Sequence, residues 1–567
     1  MPFDKMKSKK DYSVMSHFIP KQEKFLPSFN NKMKDLEKIN KLIEILEESG
    51  VGYIIESQLK KDKKSSGRKS YDPYDLFTAI IYAFSKHSGS VRKIEESIIY
   101  DNRFIHIMGG QIPSHMTISK YINDVILEKH KEIFIQIIKT IVAKYDINTD
   151  DVFIDGTKFE ANANKYKFVW KPTTFHKKLN VKIKLILEKY IELPYSKKWF
   201  TSKEFGAYIN TIREILLKKN IDVDSIVRGK GHRIVLEAKE YFMLCDYLVK
   251  VLEYEEKESI CGKNRNSYFK TDHDATAMCM KDDYYSGLGS NMKAGYCIQL
   301  AVSKGIILDY YISQDRSDTK TLIPFLEAFK SDYEHYPINI CADAGYESLM
   351  NYEYLNSNNI GNYVKYNYWQ SEKEGNSIEL YKFNDNGDFV CLNNKIGEEI
   401  DTLNGRHPKG KFNRFYLVNG CLKCKYKEYC NKPLKHKNPR QRIFEANRDL
   451  FYYKKQAKSN LLSIKGIELR VNRSAQVEGA FGVIKQDMDY DRVRRRGIDK
   501  VSAEIMMVCL GYVIRKLFIL MDGKNNLDYW VAPPNLKPEE MKEPDISKLM
   551  KKSKKKKSAN EIAKSFG

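Results

Sequence analysis

Two aspartates in this sequence each follow an apolar run. Asp155 follows residues 152–154, and Asp343 follows residues 338–342. Both runs predict buried strands that end on a carboxylate. Strand ends of an open sheet line one edge where ligands gather, so the two aspartates would face one pocket if their strands are neighbours. Taken alone, each acid is more often a cap, a turn residue or a surface charge.

A third carboxylate, Glu478, lies on a predicted helix. An apolar stripe at helical spacing would dock this helix on a sheet, and Glu478, Gly482 and Lys485 follow the edge of that stripe. Gly482 leaves room for a close backbone approach, and DNA is a candidate for that backbone. The stripe consists of Val477, Phe481 and Ile484.

Three carboxylates suit two-metal chemistry. Cleavage of a phosphodiester by water or by a 3′-hydroxyl requires a deprotonated nucleophile and neutralised phosphate charge, and two metal ions about 4 Å apart provide both. Mg²⁺ prefers carboxylate oxygens. We therefore expect Asp155, Asp343 and Glu478 to be metal ligands rather than proton-transfer groups.

The charge balance favours a polyanionic partner. The chain has 97 Lys plus Arg against 74 Asp plus Glu, a net charge of +23, which points to nucleic acid ahead of membrane surfaces. A lysine-rich genome is the alternative explanation. Lys485 and a basic loop after it are predicted to bind phosphate, although a solvated surface loop would have the same composition. The loop arginines are Arg492, Arg494, Arg495 and Arg496.

Four of the ten cysteines cluster late in the chain. Cys391, Cys421, Cys424 and Cys430 include one CxxC and could form a closed zinc site that stiffens an otherwise coreless insertion. Free thiols are the alternative. Most of the other cysteines stand singly among apolar residues, as reduced core cysteines do, so a disulfide framework is not expected.

The first 145 residues are predicted to be helical. Asp72 followed by Pro73 is a helix start, a second helix follows Ser90, and Ser114 can cap a third. Short helices with tight turns are typical of a helix-turn-helix arrangement, and equally of an ordinary helical bundle.

From residue 151 the pattern changes to strands and helices. The predicted order is strand, strand, strand, helix, strand, helix, strand, which is that of a ribonuclease H-like fold. Residues 175–258 look like a helical insertion, and a long apolar helix covers 503–521. Asp272 and Asp274, just before the second strand, are predicted to shape a turn rather than to bind a metal.

Three segments together resemble the DDE motif of insertion-sequence transposases. They are VFIDGTKFEANANKY with Asp155, ICADAGYES with Asp343, and RSAQVEGAFGVIK with Glu478 and, seven positions on, Lys485. The resemblance extends to the N-terminal segments RKSYDPYDLFTAIIYA, SVRKIEE and PSHMTISKY, so it spans nearly the whole chain.

The resemblance implies a ribonuclease H-like catalytic domain, Mg²⁺ or Mn²⁺ as cofactor, nicking at element ends, and strand transfer by the freed 3′-hydroxyl. Related transposases carry a tyrosine, arginine, glutamate, lysine signature on the last catalytic helix. This chain keeps Glu478 and Lys485, whereas Arg473 stands one residue out of register and the tyrosine is absent. Similar transposases also carry a cysteine cluster in this insertion, which favours structural zinc.

These observations predict an α/β ribonuclease H-like catalytic domain with a helical and a cysteine-cluster insertion, preceded by an all-α domain. The expected boundaries are 1–145 for the helical domain, which would bind DNA ends or dimerise; 146–174, 259–369 and 461–530 for the catalytic core; 175–258 and 370–460 for the insertions; and 531–567 for a basic, disordered tail that includes the run Lys551 to Lys557.

The expected function is DNA transposition by a cytoplasmic, nucleoid-associated enzyme that acts on double-stranded DNA as a homodimer or higher oligomer. No secretory signal or membrane span is expected from the sequence. Two alternatives stay open: a catalytically inactive DNA-binding protein derived from a transposase, and a nuclease of the same fold that does not join strands.

Overall fold

The computed structural model describes residues 34–59, 70–86, 89–228, 234–280, 292–403, 405–410, 412–430, 441–523, 529–545 and 549. The lysine run 551–557 of the predicted tail and residues 229–233 of the predicted helical insertion lie outside this part of the chain. Within it, no helix combines the length and apolar character that crossing a membrane requires.

Helices fill the N-terminal part of the described chain, as predicted. They are α1 (Lys34–Glu48), α2 (Val51–Gln58), α3 (Pro73–Lys86), α4 (Val91–Tyr100), α5 (Asn102–Met108), α6 (His115–Tyr121) and α7 (Leu127–Lys144), the last two joined by the π-helical segment Ile122–Ile126. The predicted starts are confirmed: an Oδ atom of Asp72 accepts from the Tyr74 backbone N–H at 2.8 Å, and Ser114 Oγ accepts from that of Thr117 at 3.3 Å. Such caps satisfy N–H groups that a helix start leaves free.

A mixed sheet forms the centre of the molecule. Its strands are β1 (Asp151–Glu160), β4 (Thr276–Cys279), β5 (Met292–Ser303), β6 (Ile306–Ser313), β7 (Asn339–Ala342) and β8 (Gly361–Val364). The path runs β4-β5-β1-β7-β8, and β6 also pairs with β5. β5 is antiparallel to β1, whereas β7 is parallel to β1 and β8 is parallel to β7. Helices α11 (Leu322–Tyr333) and α12 (Leu349–Ser357) connect β6 to β7 and β7 to β8.

The prediction that the first strand ends at Asp155 is wrong. β1 continues to Glu160, because the long β5 pairs with it residue by residue from Phe153↔Val302 to Glu160↔Gly295. Only the pairing with β7 stops early, at Phe153↔Cys341. Asp155 therefore lies in the middle of a strand whose β7 side has just become open. The prediction for Asp343 is confirmed, since β7 ends at Ala342.

The C-terminal helices complete the core. They are α15 (Arg448–Leu462), α16 (Ile464–Arg473), α17 (Gly479–Gly482) and α18 (Ile498–Met521), with π-helical segments Ser474–Glu478 and Val483–Asp487 on either side of α17. α18 packs against α3, α7 and β6. A single hydrophobic core thus runs from the N-terminal helices through α18 into the sheet.

The region between β1 and β4 has a core of its own. Helices α8 (Thr173–Leu187), α9 (Ser202–Lys218) and α10 (Leu236–Cys261) pack around buried apolar residues such as Ile183, Phe205 and Leu244. A two-stranded antiparallel ribbon of β2 (Phe168–Trp170) and β3 (Ser267–Phe269) joins this helical unit to the sheet.

The cysteine region also has a core, which corrects the prediction of a coreless insertion. It consists of α13 (Trp369–Lys373), β9 (Tyr381–Phe383), β10 (Phe389–Cys391), β11 (Glu398–Ile400), β12 (Arg414–Asn419), α14 (Lys427–Cys430) and β13 (Gln441–Ala446). Phe383, Phe389, Tyr416 and Phe444 pack together, and the rings of Phe389 and Tyr416 stack at 4.6 Å. The strands are only three to six residues long, too short for a clear alternation of polar and apolar residues in the sequence.

Candidate active site

Asp155 and Asp343 lie beside each other. The β1–β7 register ends at Phe153↔Cys341, and two more residues along each chain bring Asp155 level with Asp343. Asp343 is just past the end of β7, where its carboxylate accepts a hydrogen bond of 2.8 Å from the Gly345 backbone N–H. The strand ends therefore bring together two of the three predicted catalytic carboxylates.

Arg473 joins Asp155 to the third carboxylate. One Nη atom of Arg473 lies 3.2 Å from Asp155 Oδ1, and the other donates a hydrogen bond of 2.8 Å to Glu478 Oε1. Arg473 is only 3% exposed, so this guanidinium is buried between the two acids. Its Nε atom is also buried and finds no hydrogen-bond partner in the described part of the chain. Arg473 thus connects Asp155 and Glu478 directly, and Asp343 acts on the same guanidinium only through its charge.

The helix that carries Glu478 is locally π-helical. Residues five apart in an α-helix point about 140° away from each other. The segment Ser474–Glu478 is a π-turn, which holds one more residue per turn and brings Glu478 over Arg473. The π-turn thus lets Arg473, five residues before Glu478, reach the Glu478 carboxylate. The apolar stripe of this helix is buried as predicted, with Val477, Phe481 and Ile484 at 0%, 7% and 2% exposure.

Burial and neighbouring charges alter the ionisation of Asp155. Its side chain is 17% exposed, and burial raises its pKa to about 6, against which the Arg473 guanidinium acts to lower it. The carboxylates of Asp343 and Glu478 contribute in the raising direction. The charges of Asp343 and Glu478 thus both affect the pKa of Asp155, so the three carboxylates interact electrostatically.

Lys485 reaches the same face of β1. Its Nζ atom donates to Thr157 Oγ1 at 2.7 Å and to the Lys158 carbonyl at 3.3 Å, and it lies 5.0 Å from the centre of the Phe159 ring. Thr157 is two residues after Asp155, and residues two apart on a strand share a face. One helix therefore brings a carboxylate and an ammonium group to neighbouring positions on β1.

A fourth carboxylate, Asp318, was not identified from the sequence. It follows β6 in a short 3₁₀ turn, and its Oδ1 accepts a hydrogen bond of 2.8 Å from Gln299 Nε2. The Tyr346 hydroxyl donates to the side-chain carbonyl of the same Gln299, so Asp318 is connected to the loop just after Asp343. An acid soon after a buried strand was the signal that marked Asp343. Here the signal was obscured because Asp315 and Arg316 stand in the same turn.

Two glycines allow this close packing. A Cβ atom on Gly156 would lie 2.3 Å from Gln299 Nε2 and 2.5 Å from Asp318 Oδ1. A Cβ atom on Gly345 would lie 3.0 Å from Asp343 Oδ1 and 3.4 Å from Asp318 Oδ2. Asp318 therefore lies close to the residues beside both strand carboxylates.

The predicted basic loop is anchored by a buried acid and by the end of β1. Glu504, 2% exposed, accepts hydrogen bonds from the backbone N–H groups of Arg494 and Arg495. Arg496 Nε donates to the Asn162 carbonyl at 2.8 Å, and Asn162 Nδ2 donates to the Arg494 carbonyl at 2.6 Å. The backbone of the loop is thus held firmly.

The four arginines of this loop differ in exposure. Arg492, Arg494 and Arg496 are exposed, whereas Arg495 is half-buried and donates to Asn123 Oδ1 at 2.6 Å. Burial lowers the pKa of Arg495. Three guanidinium groups therefore lie on the outer surface, and the fourth packs against the N-terminal helices.

The prediction that Asp272 and Asp274 shape a turn is confirmed. Asp272 Oδ1 accepts from the Gly497 backbone N–H at 3.2 Å, and its other oxygen accepts from the Tyr296 hydroxyl at 2.8 Å. Asp274 Oδ2 accepts from the Ile498 backbone N–H at 2.9 Å, at the start of α18. Both acids connect the turn before β4 to this helix.

The four clustered cysteines lie in one neighbourhood. Cys391 ends β10, Cys430 ends α14, and Cys421 and Cys424 lie in the turns between β12 and α14. Burial raises the pKa of Cys430 to about 11, and the other three thiols add to the rise. All ten cysteines are free thiols. The spacing in the sequence thus corresponds to proximity in the fold.

The carboxylates and the thiols are not arranged as finished metal sites. Among the described residues, no three histidine, cysteine, aspartate or glutamate side chains stand together in a way that could hold a metal ion. At the carboxylates, the Arg473 guanidinium stands between Asp155 and Glu478 and supplies positive charge there. The donor chemistry suits Mg²⁺ at the carboxylates and Zn²⁺ at the thiols.

Comparison with known families gives two matches. A model of a transposase DDE domain matches residues 390–518, and a model of a transposase domain (DUF772) matches residues 20–124. The first range contains Glu478, Lys485, the basic loop and the four clustered cysteines. Neither a curated protein nor a solved structure was found to match the chain.

Transposases act on DNA, and DDE transposases generally use divalent metals such as Mg²⁺. A DDE domain implies nucleotidyl-transfer or endonuclease activity in general. Two parts of this chain, one in the N-terminal helices and one across the Glu478 helix, thus match transposase families, and both matches support the resemblance to insertion-sequence DDE transposases.

Proposed function

We propose that this protein binds the ends of its own insertion sequence, cleaves the DNA there, and joins the freed 3′-hydroxyl to a target strand. Asp155, Asp343 and Glu478 are the catalytic residues of this proposal. The observation that carries it is that Asp343 lies level with Asp155 across β1 and β7, that Arg473 connects Asp155 to Glu478, and that Lys485 contacts Thr157, two residues further along β1.

The strand order supports a ribonuclease H-like catalytic domain. Three antiparallel strands, β1, β5 and β6, are followed by two that continue parallel to β1. These five strands follow the order predicted from the sequence, and β4, which was not predicted, is a sixth strand that also pairs with β5. In our proposal the domain comprises residues 146–174, 259–369 and 461–530, and the helical unit and the cysteine region are insertions in it.

The donor chemistry fits divalent cations. Asp155, Asp343 and Glu478 would hold Mg²⁺ or Mn²⁺, whose chemistry is to activate the attacking oxygen and to neutralise charge on the phosphate. Glu478 is 51% exposed on its side chain and can turn away from Arg473. Asp155 would keep its own contact with the buried Arg473 guanidinium, so a cation bound here would share the Asp155 carboxylate with Arg473.

The chain's own cations bind and orient the DNA in this proposal. Lys485 lies beside the carboxylates and would bind a phosphate next to the scissile one. Arg492, Arg494 and Arg496 are exposed on a loop with a fixed backbone, and exposed guanidinium groups suit contacts to phosphate oxygens. Arg495 would stabilise the loop from the inside.

The N-terminal helices would recognise element ends or mediate dimerisation. Cleavage and joining of paired ends require at least two catalytic chains near each other, so we propose a homodimer or higher oligomer on DNA. Because the N-terminal helices and the sheet pack on the same core around α18, they form one packed unit. DNA bound by these helices would therefore be held in a fixed orientation relative to the carboxylates.

We also propose that Cys391, Cys421, Cys424 and Cys430 bind one structural Zn²⁺. Their proximity supports this, and so does the position of three of them against the aromatic core of the insertion. Four thiolates complete a closed tetrahedral site, which stabilises a small domain.

The decisive experiment measures Mg²⁺-dependent cleavage and joining of a labelled duplex that carries the gene's own flanking sequences. Glu478→Gln is expected to abolish both reactions while DNA binding persists, because glutamine retains the size of the side chain and loses its charge. Glu468→Gln is the matched control on the preceding helix, since Glu468 pairs with Lys465 away from the carboxylates.

Three outcomes separate the alternatives. Loss of both reactions in Glu478→Gln alone supports the transposase. Cleavage without joining by the wild type would leave a nuclease. Tight binding of the flanking DNA without cleavage by any of the proteins would leave an inactive DNA-binding relative.

A further inference from the structure

Exposed aromatic side chains crowd into ten residues near the end of β1. Tyr166, Phe168, Trp170 and Phe175 are 81%, 43%, 50% and 66% exposed. We call these four residues the aromatic surface. The rings of Phe168 and Trp170 contact each other, and Tyr166 and Phe175 flank them in the sequence. Aromatic rings are large apolar groups, so this many exposed in one segment indicate a surface that binds something flat or apolar.

The ribbon of β2 and β3 presents two of these rings together. Phe168 and Trp170 are two residues apart on β2 and share a face, and their rings contact at 5.6 Å. Val169 points the other way, together with its cross-strand partner Tyr268, which is 5% exposed and interacts electrostatically with Glu253 and Glu256 of α10. The α10 helix therefore lies on the Val169 and Tyr268 side of the ribbon. On the other side the cross-strand partners Phe269 and Ser267 are buried, whereas the rings of Phe168 and Trp170 stay 43% and 50% exposed.

Among charged side chains, the segment that carries the aromatic surface has only positive ones, whereas the acids Glu253, Glu256 and Glu258 lie on α10, behind the ribbon and beside His176. Residues 161–187 contain seven lysines and no aspartate or glutamate. Lys165 lies 5.0 Å from the centre of the Tyr166 ring, and Lys167 stands between Tyr166 and Phe168 in the sequence. Alternating rings and ammonium groups suit a strand of nucleic acid, whose bases stack on rings and whose phosphates pair with lysines. A protein partner could also contact the rings, but the lysines of this segment would add less to its binding affinity than to that of a polyanion.

The aromatic surface is continuous with the proposed phosphate-binding loop. Asn162, between β1 and β2, exchanges hydrogen bonds with Arg494 and Arg496. The backbone N–H of Val493 also donates to the Glu160 carbonyl at the end of β1. From Asp155 to Glu160 the strand covers about 17 Å, the length of a few nucleotides. Lys485 and the loop arginines thus lie along β1 between the carboxylates and the exposed rings, and Glu160 on this path is paired with Arg492 and Lys293.

We propose that the aromatic surface binds unpaired bases of a DNA strand that leaves the catalytic carboxylates. The occupant is single-stranded DNA, taken without strong sequence preference, because every base has a face that can stack. This inference rests on the proposed function for the source of the strand. The binding itself does not depend on cleavage.

The test measures binding of the full chain, in EDTA, to a labelled single-stranded oligonucleotide and to a blunt duplex of the same sequence. Trp170→Ala is expected to weaken single-strand binding about tenfold and duplex binding less than about twofold. Trp170→Phe retains a ring and should restore most of the affinity. Tyr166→Ala, in a turn, is a second variant that leaves β2 intact.

Tyr195→Ala is the matched control. Tyr195 is 95% exposed and has Lys184 at 5.6 Å from its ring, as Tyr166 has Lys165, but it lies outside the aromatic surface. Its removal should change neither affinity. Equal losses for single strand and duplex, or no loss in Trp170→Ala and Tyr166→Ala, would overturn the proposal. So would a change of oligomeric state in Trp170→Ala with DNA affinity unaltered, which would make this a face between copies of the chain.

The result is separable from the fate of the proposed function. If the wild type never cleaves its flanking DNA but Trp170→Ala loses single-strand affinity, the transposase proposal fails and the binding surface stands. If cleavage and joining occur but both variants bind single strands as the wild type does, the transposase proposal stands and the binding surface fails.

Discussion

Arg473 and Glu478 are five residues apart and joined by a hydrogen bond of 2.8 Å, because the turn between them is π-helical. The same guanidinium contacts Asp155, so one buried side chain holds two of the proposed metal ligands. A divalent cation at these carboxylates and the guanidinium compete for the same negative charge. This competition makes Arg473 the most informative position for mutation.

Arg473→Ala should lower the free energy of unfolding by about 3 kcal/mol in EDTA, because it leaves Asp155 buried without its cation. Mn²⁺ should then stabilise the variant more than it stabilises the wild type, since no guanidinium has to be displaced. Thermal unfolding with and without Mn²⁺ measures both effects. Arg470→Ala is the control. Arg470 lies on the same helix as Arg473, and its substitution removes an ion pair with Glu539, 2.6 Å away. An equal Mn²⁺ response in wild type and Arg473→Ala would contradict this account.

The pKa of Asp155 predicts a defined pH dependence of stability. Its folded-state pKa of about 6 lies above the ordinary 3.8, so between about pH 4 and 6 the folded protein binds more protons than the unfolded one. Stability therefore falls as pH rises through this window.

The Asp155→Asn variant has no carboxyl group at this position, so it lacks this pH-dependent contribution to stability. Its stability relative to the wild type should increase by about 2–3 kcal/mol between pH 4 and 6 and stay level above. Urea unfolding in EDTA at several pH values measures it. Burial also raises the pKa of Asp309 to about 6. Asp309 is present in both proteins, so its contribution cancels in the difference between their stabilities. A constant difference across the window would show that Asp155 has no raised pKa.

Gly156→Ala tests the close packing beside Asp155. The added Cβ would lie 2.3 Å from Gln299 Nε2 and 2.5 Å from Asp318 Oδ1, so the hydrogen bond between these side chains must break or shift. We expect a loss of about 1–3 kcal/mol in stability and a clear loss of cleavage. Gly482→Ala is the opposite case, because nothing lies within 4 Å of its Cβ position, and helix propensity predicts a gain of up to about 1 kcal/mol. Equal effects of the two substitutions would be evidence against the packing argument.

The cysteine cluster should contain metal. Purified protein is expected to hold about one zinc per chain by elemental analysis, and Cys424→Ser should lose it together with part of the thermal stability. Cys245→Ser, in α10 and outside the cluster, should leave the zinc content unchanged. Zinc-free wild-type protein with unaltered stability after chelation would identify the four residues as ordinary free thiols.

Local patterns determined much of this protein. The caps at Asp72 and Ser114, the buried strand before Asp343 and the apolar stripe of Val477, Phe481 and Ile484 are each encoded within a few residues, because helix and strand periodicity act over short distances. The type of each candidate residue also followed from the sequence. Carboxylates in these positions predicted a site at the sheet edge before any contact was known.

Only the tertiary structure decided which side chains meet. β1 continues past Asp155 because β5, more than 130 residues later, pairs with it, and no local pattern encodes a distant partner. Asp318 lies beside Asp343 for the same reason, through Gln299 on β5. Arg473 faces Glu478 because a π-turn adds one residue to that helix, a change of register that the periodicity of an α-helix does not predict. Long-range strand pairing and this turn are what bring the separate signals into one site.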